Sequence, residues 1–163
     1  MADFSKMTPA GLENAQNALD EMEKTGVFRS LTRGPSMRPM LRQQRDVVVV
    51  APVKEPLKKY DVPMYRREGY DHLVLHRILQ VREDCYVIRG DNTYCLEYVP
   101  KEYILGVLQE FYRDGKRISC ESQSYKRYVR WNIRTYPIRH LWHRGIRPKL
   151  GKIKRALLKR LKK

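Results

Sequence analysis

From Thr8 to Gly26 the apolar residues Leu12, Ala15, Leu19 and Met22 return every three or four positions, the period of one face of a helix. Thr8 followed by Pro9 is a helix start, because a threonine oxygen accepts from open backbone N–H groups and proline fits the first turn. Gly26 ends the run. From Val27 the period changes. The stretches "VFRSLT", "DVVVVAP", "HLVLHRILQV", "CYVIRG" and "YILGVLQEFY" are β-branched and aromatic, with turn residues between them. Glu83-Asp84 predicts a reversal between the third and fourth, and Asp114-Gly115 a tight hairpin after the fifth. Pro63 in "YDVPMY" lacks an N–H donor and predicts a strand at a sheet edge. The chain therefore reads as a short amphipathic helix over 1–26, a mainly β body over 27–121 and a tail over 122–163.

In the tail the pattern changes once more. Tyr and Trp alternate with Arg after "SQS", and then Leu150, Ile153, Leu157 and Leu161 fall on one helical face ringed by Lys152, Lys154, Arg155, Lys159 and Arg160. Charge sharpens this boundary. The chain has 34 Lys and Arg against 18 Asp and Glu, and no acid follows Glu121, so the excess belongs to the tail and the body is close to neutral. A basic amphipathic helix flanked by aromatic rings suits an anionic membrane surface. The same mixture suits nucleic acid through phosphate contacts and stacking, or a partner protein.

The longest apolar run, Val47 to Val53, is seven residues and is interrupted by Pro52, against the roughly twenty that a spanning helix needs. The N-terminal stretch lacks the charged-then-hydrophobic order of a secretory signal. Cys85, Cys95 and Cys120 are odd in number and without C-x-x-C spacing, which points away from a disulfide frame and a zinc site. These features predict a cytoplasmic chain with reduced thiols, without metal or cofactor, docked on the inner membrane face by its tail.

Candidate chemistry begins at "RGPSMRPML", residues 33–41. Pro35 and Pro39 restrict the backbone around Ser36, and a nucleophile benefits from such stiffness. A serine hydroxyl also needs a base within hydrogen-bond reach, commonly an imidazole oriented by a third group. His76 stands in "LVLHRI", and "RGDN", residues 89–92, ends the next predicted strand. Taken singly these are a Pro-rich turn, a core histidine and an Asp-Asn turn. Together they fall in the order Ser, His, Asp.

In that order "GPSMRPML", "LHRILQV" and "RGDN" resemble the consecutive boxes of the type I signal peptidases, serine proteases that remove leader segments from exported proteins. The resemblance covers about Val27 to Gly115 and is closer to the archaeal and endoplasmic-reticulum branch, where histidine precedes the arginine, than to the lysine-bearing bacterial branch. It implies a coiled β-sheet or partly open barrel. It makes Ser36 the nucleophile and His76 the general base, gives Asp91 a supporting role near the base, and has Met37 and Pro39 shape the turn. Glu97 takes the place of the family's second acid, so the orienting acid is Asp91, Glu97 or both. Gly34 stands where bacterial relatives carry an oxyanion-binding serine, leaving the Ser36 amide and one further donor to bind the oxyanion. The implied substrate is a peptide or precursor protein, bound as an extended strand at a free sheet edge and cleaved through an acyl-enzyme.

Such a mechanism needs the imidazole within about 3 Å of the Ser36 oxygen. Two other classes fit parts of the pattern. Self-cleaving repressors share the serine turn but use a lysine base behind a helix-turn-helix. A non-catalytic module for RNA or a membrane surface would keep the boxes only as scaffold.

Overall fold

The computed structural model describes residues 8–142, and the chain divides into two units, Met1–Lys126 and Arg127–Lys163. The expected membrane-binding residues Lys152, Lys154, Arg155, Lys159 and Arg160 lie outside the described residues.

Helix α1 (Pro9–Thr25) starts and stops where its sequence requires. The Thr8 hydroxyl accepts from the Gly11 N–H at 3.1 Å, and Gly26 closes the helix at φ 81°, donating to the Met22 carbonyl. Its buried face differs from the sequence expectation. Gly11, Ala15, Ala18 and Met22 face inward, whereas Leu12 and Leu19 stay 38% exposed. At its first turn the cause is closeness of approach: a Cβ on Gly11 would stand 2.5 Å from the Tyr70 carbonyl oxygen, so only glycine fits that position.

Nine strands follow among the described residues: β1 (Phe28–Leu31), β2 (Val47–Ala51), β3 (Pro63–Tyr65), β4 (Val74–Leu75), β5 (Arg77–Val81), β6 (Cys85–Arg89), β7 (Glu97–Pro100), β8 (Ile104–Arg113) and β9 (Lys116–Ser119). The fold is mainly β. One sheet runs β1-β2-β8-β3-β4, with β9 also paired to β8, and curls into a half-barrel; the other runs β5-β6-β7. Asp114 and Gly115 turn β8 into β9 with φ of 49° and 75°, the positive pair that a tight hairpin demands. Strand β3 is not an edge, since it pairs with both β8 and β4. Pro63 is its first residue, a position where a strand tolerates a missing donor.

The run "HLVLHRILQV" is likewise two strands and not one. The chain leaves the large sheet after β4 and enters the small one at β5, with His76 at the joint. Tyr65, Val74, Ile78, Ile88 and Val99 belong to one buried apolar cluster. A second cluster packs Ala15, Ala18 and Met22 of α1 against Val50, Met64 and Leu105.

Helix α2 (Gln123–Leu141) begins in the first unit. In the second unit it carries Tyr128 beside Trp131 and the Arg139 guanidinium over the Trp131 ring, with Ile138 and Leu141 exposed. Among the described residues no helix is long and apolar enough to cross a membrane.

Candidate active site

Ser36 sits in the loop between β1 and β2, and that loop is closed at its base. Thr32 N–H donates to the Asp46 carbonyl at 3.1 Å, and Gln44 N–H to the Thr32 carbonyl at 2.8 Å. The fully buried Asp46 carboxylate accepts from Arg42 three times, from the backbone N–H at 2.9 Å, Nε at 2.9 Å and Nη2 at 2.7 Å. Burial alone would raise this carboxyl. The Arg42 hydrogen bonds and the Arg113 charge outweigh that effect and hold it below the usual carboxylate value. Gly34 has φ 74°, a conformation that favours glycine over the serine of the bacterial pattern. Met37, Met40 and Leu41 are buried and anchor the turn from beneath, while Pro39 follows a cis peptide and is exposed.

His76 is buried, and its Nδ1 lies 3.0 Å from Glu97 Oε1 and 3.0 Å from the Tyr65 hydroxyl oxygen. Tyr65 in turn donates its proton to Glu97 Oε2 at 2.8 Å. Burial raises the Glu97 carboxyl, but hydrogen bonds from His76 and Tyr65, with the charge of Arg67, overcome this and keep it below its ordinary value. Beside an ionised carboxylate, the hydrogen-bond pattern assigns the imidazole proton to Nδ1. Nε2 is left as the basic nitrogen.

The "RGDN" stretch explains itself at this point. Gly90 lies between Ser36 and His76: a Cβ there would stand 2.7 Å from the Ser36 carbonyl oxygen and 3.0 Å from His76 Nε2. Any larger residue would push the serine turn from the imidazole. Asn92 ties that turn down, its N–H donating to the Ser36 carbonyl at 2.7 Å and its Nδ2 to the Pro35 carbonyl at 3.2 Å. Asp91 takes Arg77 Nε at 2.8 Å and Nη2 at 2.7 Å. The two candidate acids therefore separate: the imidazole meets Glu97, and the carboxylate of Asp91 meets the neighbouring guanidinium.

Ser36 and His76 line one cavity of about 520 Å³, within the size range of ligand clefts. Its floor is apolar, from Met37, Leu41, Val48 and Met64, and Arg67 and Glu97 also border it. Among the described residues no hydrogen bond joins Ser36 to His76, so the expected 3 Å contact is not made in this conformation. The Ser36 N–H also has no partner among the described residues, and no second oxyanion donor is defined. Cys95, an exposed free thiol, borders the same cavity. Among the described residues no three His, Cys, Asp or Glu side chains gather as a metal site.

Sequence reasoning missed Tyr65, Asp46 and Arg77. Tyr65 follows a proline in a short apolar strand, and nothing in its spacing separates it from an ordinary core tyrosine. No family model matches the chain, and no curated protein matches it.

Proposed function

We propose that this chain is a serine endopeptidase of the signal-peptidase type that trims a leader from a peptide or precursor protein. The observation that carries the reading is the meeting of the Ser36 turn and His76 Nε2 across Gly90, with the far side of the imidazole held by Glu97. Rotation of the Ser36 side chain toward Nε2 starts the reaction, a closure commonly completed only with substrate bound. Ser36 Oγ attacks the peptide carbonyl carbon while His76 Nε2 takes its proton. The tetrahedral oxyanion meets the Ser36 N–H. On collapse the C–N bond breaks and the leaving amine takes the proton from His76. Water, deprotonated by the same imidazole, then attacks the acyl-enzyme and frees Ser36. Glu97 stabilises the imidazolium formed at each step.

The cavity is bordered by β1 and β4, the strands at the two ends of the β1-β2-β8-β3-β4 order. The edge of β4, and that of β1 beyond the Arg29 N–H that donates to Glu21 Oε1, suit an extended peptide, which would gain main-chain hydrogen bonds there and direct alternate side chains to the apolar floor. A peptide-binding module without turnover is the second reading, favoured by the unmade Ser36–His76 hydrogen bond. Incubation of the full chain with a peptide library, read by mass spectrometry, tests the two. New termini formed by the wild type and lost in Ser36→Ala support the peptidase. Peptide retention by both proteins without cleavage supports the binding module.

Docking on an anionic membrane surface through the basic tail belongs to the same proposal, together with a cytoplasmic site of action. The full chain is expected to co-sediment with anionic vesicles and to be released by salt, and a chain ending at residue 142 to bind more weakly. Equal binding of the two would remove the docking part.

A further inference from the structure

We propose that Tyr65 is a positioning residue of this site, one that locks Glu97 onto the imidazole against the pull of Arg67; the proposal rests on the Ser36–His76 reading. The Tyr65 side chain is wholly buried, its ring packed in the apolar cluster with Ile78, Ile88 and Val99 and set edge-on to His76. Only its hydroxyl reaches polar groups. That oxygen stands 2.8 Å from Glu97 Oε2 and 3.0 Å from His76 Nδ1.

One assignment of protons satisfies all three groups. Tyr65 donates its single proton to Oε2, and the Nδ1 proton is shared between Oε1 and the Tyr65 oxygen. Burial and the adjoining Glu97 charge oppose ionisation of the phenol, so it remains a donor across the physiological range. With Oε2 held from inside the core, Oε1 is aimed at the ring.

A competitor stands close by. Arg67 Nη1 is 3.5 Å from Glu97 Oε1, with its side chain 38% exposed and its guanidinium over the Tyr70 ring at 4.3 Å. Glu97 Oε1 therefore has two partners, the buried imidazole at 3.0 Å and a partly exposed guanidinium at 3.5 Å. Without the Tyr65 hydroxyl, Oε2 loses its donor in a half-buried place, and rotation toward Arg67 and water becomes the better solution for the carboxylate. His76 would then lose the acceptor that fixes its Nδ1 proton, and Nε2 would no longer be reliably the free base.

Tyr65→Phe removes one oxygen and keeps the ring that fills the core. The test measures the acylation rate of Ser36 by a fluorophosphonate, and the nitrogen-15 NMR spectrum of His76, in the full chain. The expected result is a proton on Nδ1 in the wild type, and in Tyr65→Phe an acylation rate lower by about tenfold, the scale of one hydrogen bond to a charged group, with a mixed tautomer. Tyr65→Phe/Arg67→Gln is expected to recover part of the rate, which loss of packing would not allow. A folded Tyr65→Phe with the wild-type rate and imidazole spectrum would overturn the proposal, as would a wild-type His76 with its proton on Nε2, a reading that needs no variant. Should the wild type fail to react, the peptidase reading falls; the spectra then decide Tyr65 alone, a changed tautomer in Tyr65→Phe supporting it and an unchanged one refuting it.

Discussion

His76 and Arg77 are neighbours in the chain, yet each takes a different carboxylate, and the difference separates rate from stability. Arg77 and Asp91 form an ion pair with side chains 0% and 2% exposed, and the guanidinium also donates to the Tyr60 carbonyl, the Tyr125 hydroxyl and Met40 Sδ. Asp91→Ala would strand a buried cation, and breaking such a pair costs about 3–5 kcal/mol, measurable by urea unfolding. Glu97→Gln is expected to lower the unfolding midpoint far less than Asp91→Ala does and to slow Ser36 acylation, because the amide supports the imidazolium less well. The opposite pattern, with Asp91 controlling rate and Glu97 stability, would contradict these assignments. Ser36 and His76 could be named as candidates from the sequence only because three local boxes fall in one order and that order carries the family resemblance. The choice between Asp91 and Glu97 was not legible there, since it depends on the pairing of β7 with β6, which sets Glu97 opposite Ile88.

Among the elements, two strands beside the cavity lack a second neighbouring strand within the described residues. β4 pairs with β3 alone and β1 with β2 alone among the described residues, so each has an edge free of a further strand beside the cavity, with the Arg29 N–H of β1 donating to Glu21 Oε1 at 3.1 Å. A substrate peptide methylated on alternate backbone nitrogens should bind more weakly when the methyls fall on the hydrogen-bonding set than one residue out of phase, because strand pairing has a two-residue period. Equal affinity in a peptide competition assay would count against strand addition. The hairpin at Asp114-Gly115 and both caps of α1 were readable because each is specified within four residues. The division of "HLVLHRILQV" at His76 was not, since a continuous apolar run fits one strand as well as two. The buried face of α1 also escaped periodicity, which weighs Leu12 and Leu19 above Gly11 and Ala18, whereas close packing reverses that order.

For the whole molecule, the depressed carboxyls Asp46 and Glu97 set an acid limit on the body. Their folded values lie below the ordinary 3.8 and 4.5, so the native state binds fewer protons than the unfolded chain in that range. Their stabilisation is complete above those ordinary values and is lost as pH falls through the lower folded ones. Thermal unfolding midpoints should therefore drop between about pH 5 and about pH 2, and Asp46→Asn should flatten that slope. A slope unchanged by the substitution would mean that Asp46 carries none of it. The separation of a near-neutral β body from a basic tail was plain in the charge distribution, as was the mainly β class. The proposed peptidase activity depends on the reactivity of a single oxygen. Intact-mass analysis of the full chain after exposure to a fluorophosphonate, with the adduct located by fragmentation, reads it directly. The account predicts one adduct on Ser36 in the wild type and none there in Ser36→Ala or in a folded His76→Ala; equal labelling of all three proteins, or none of the wild type, would contradict it.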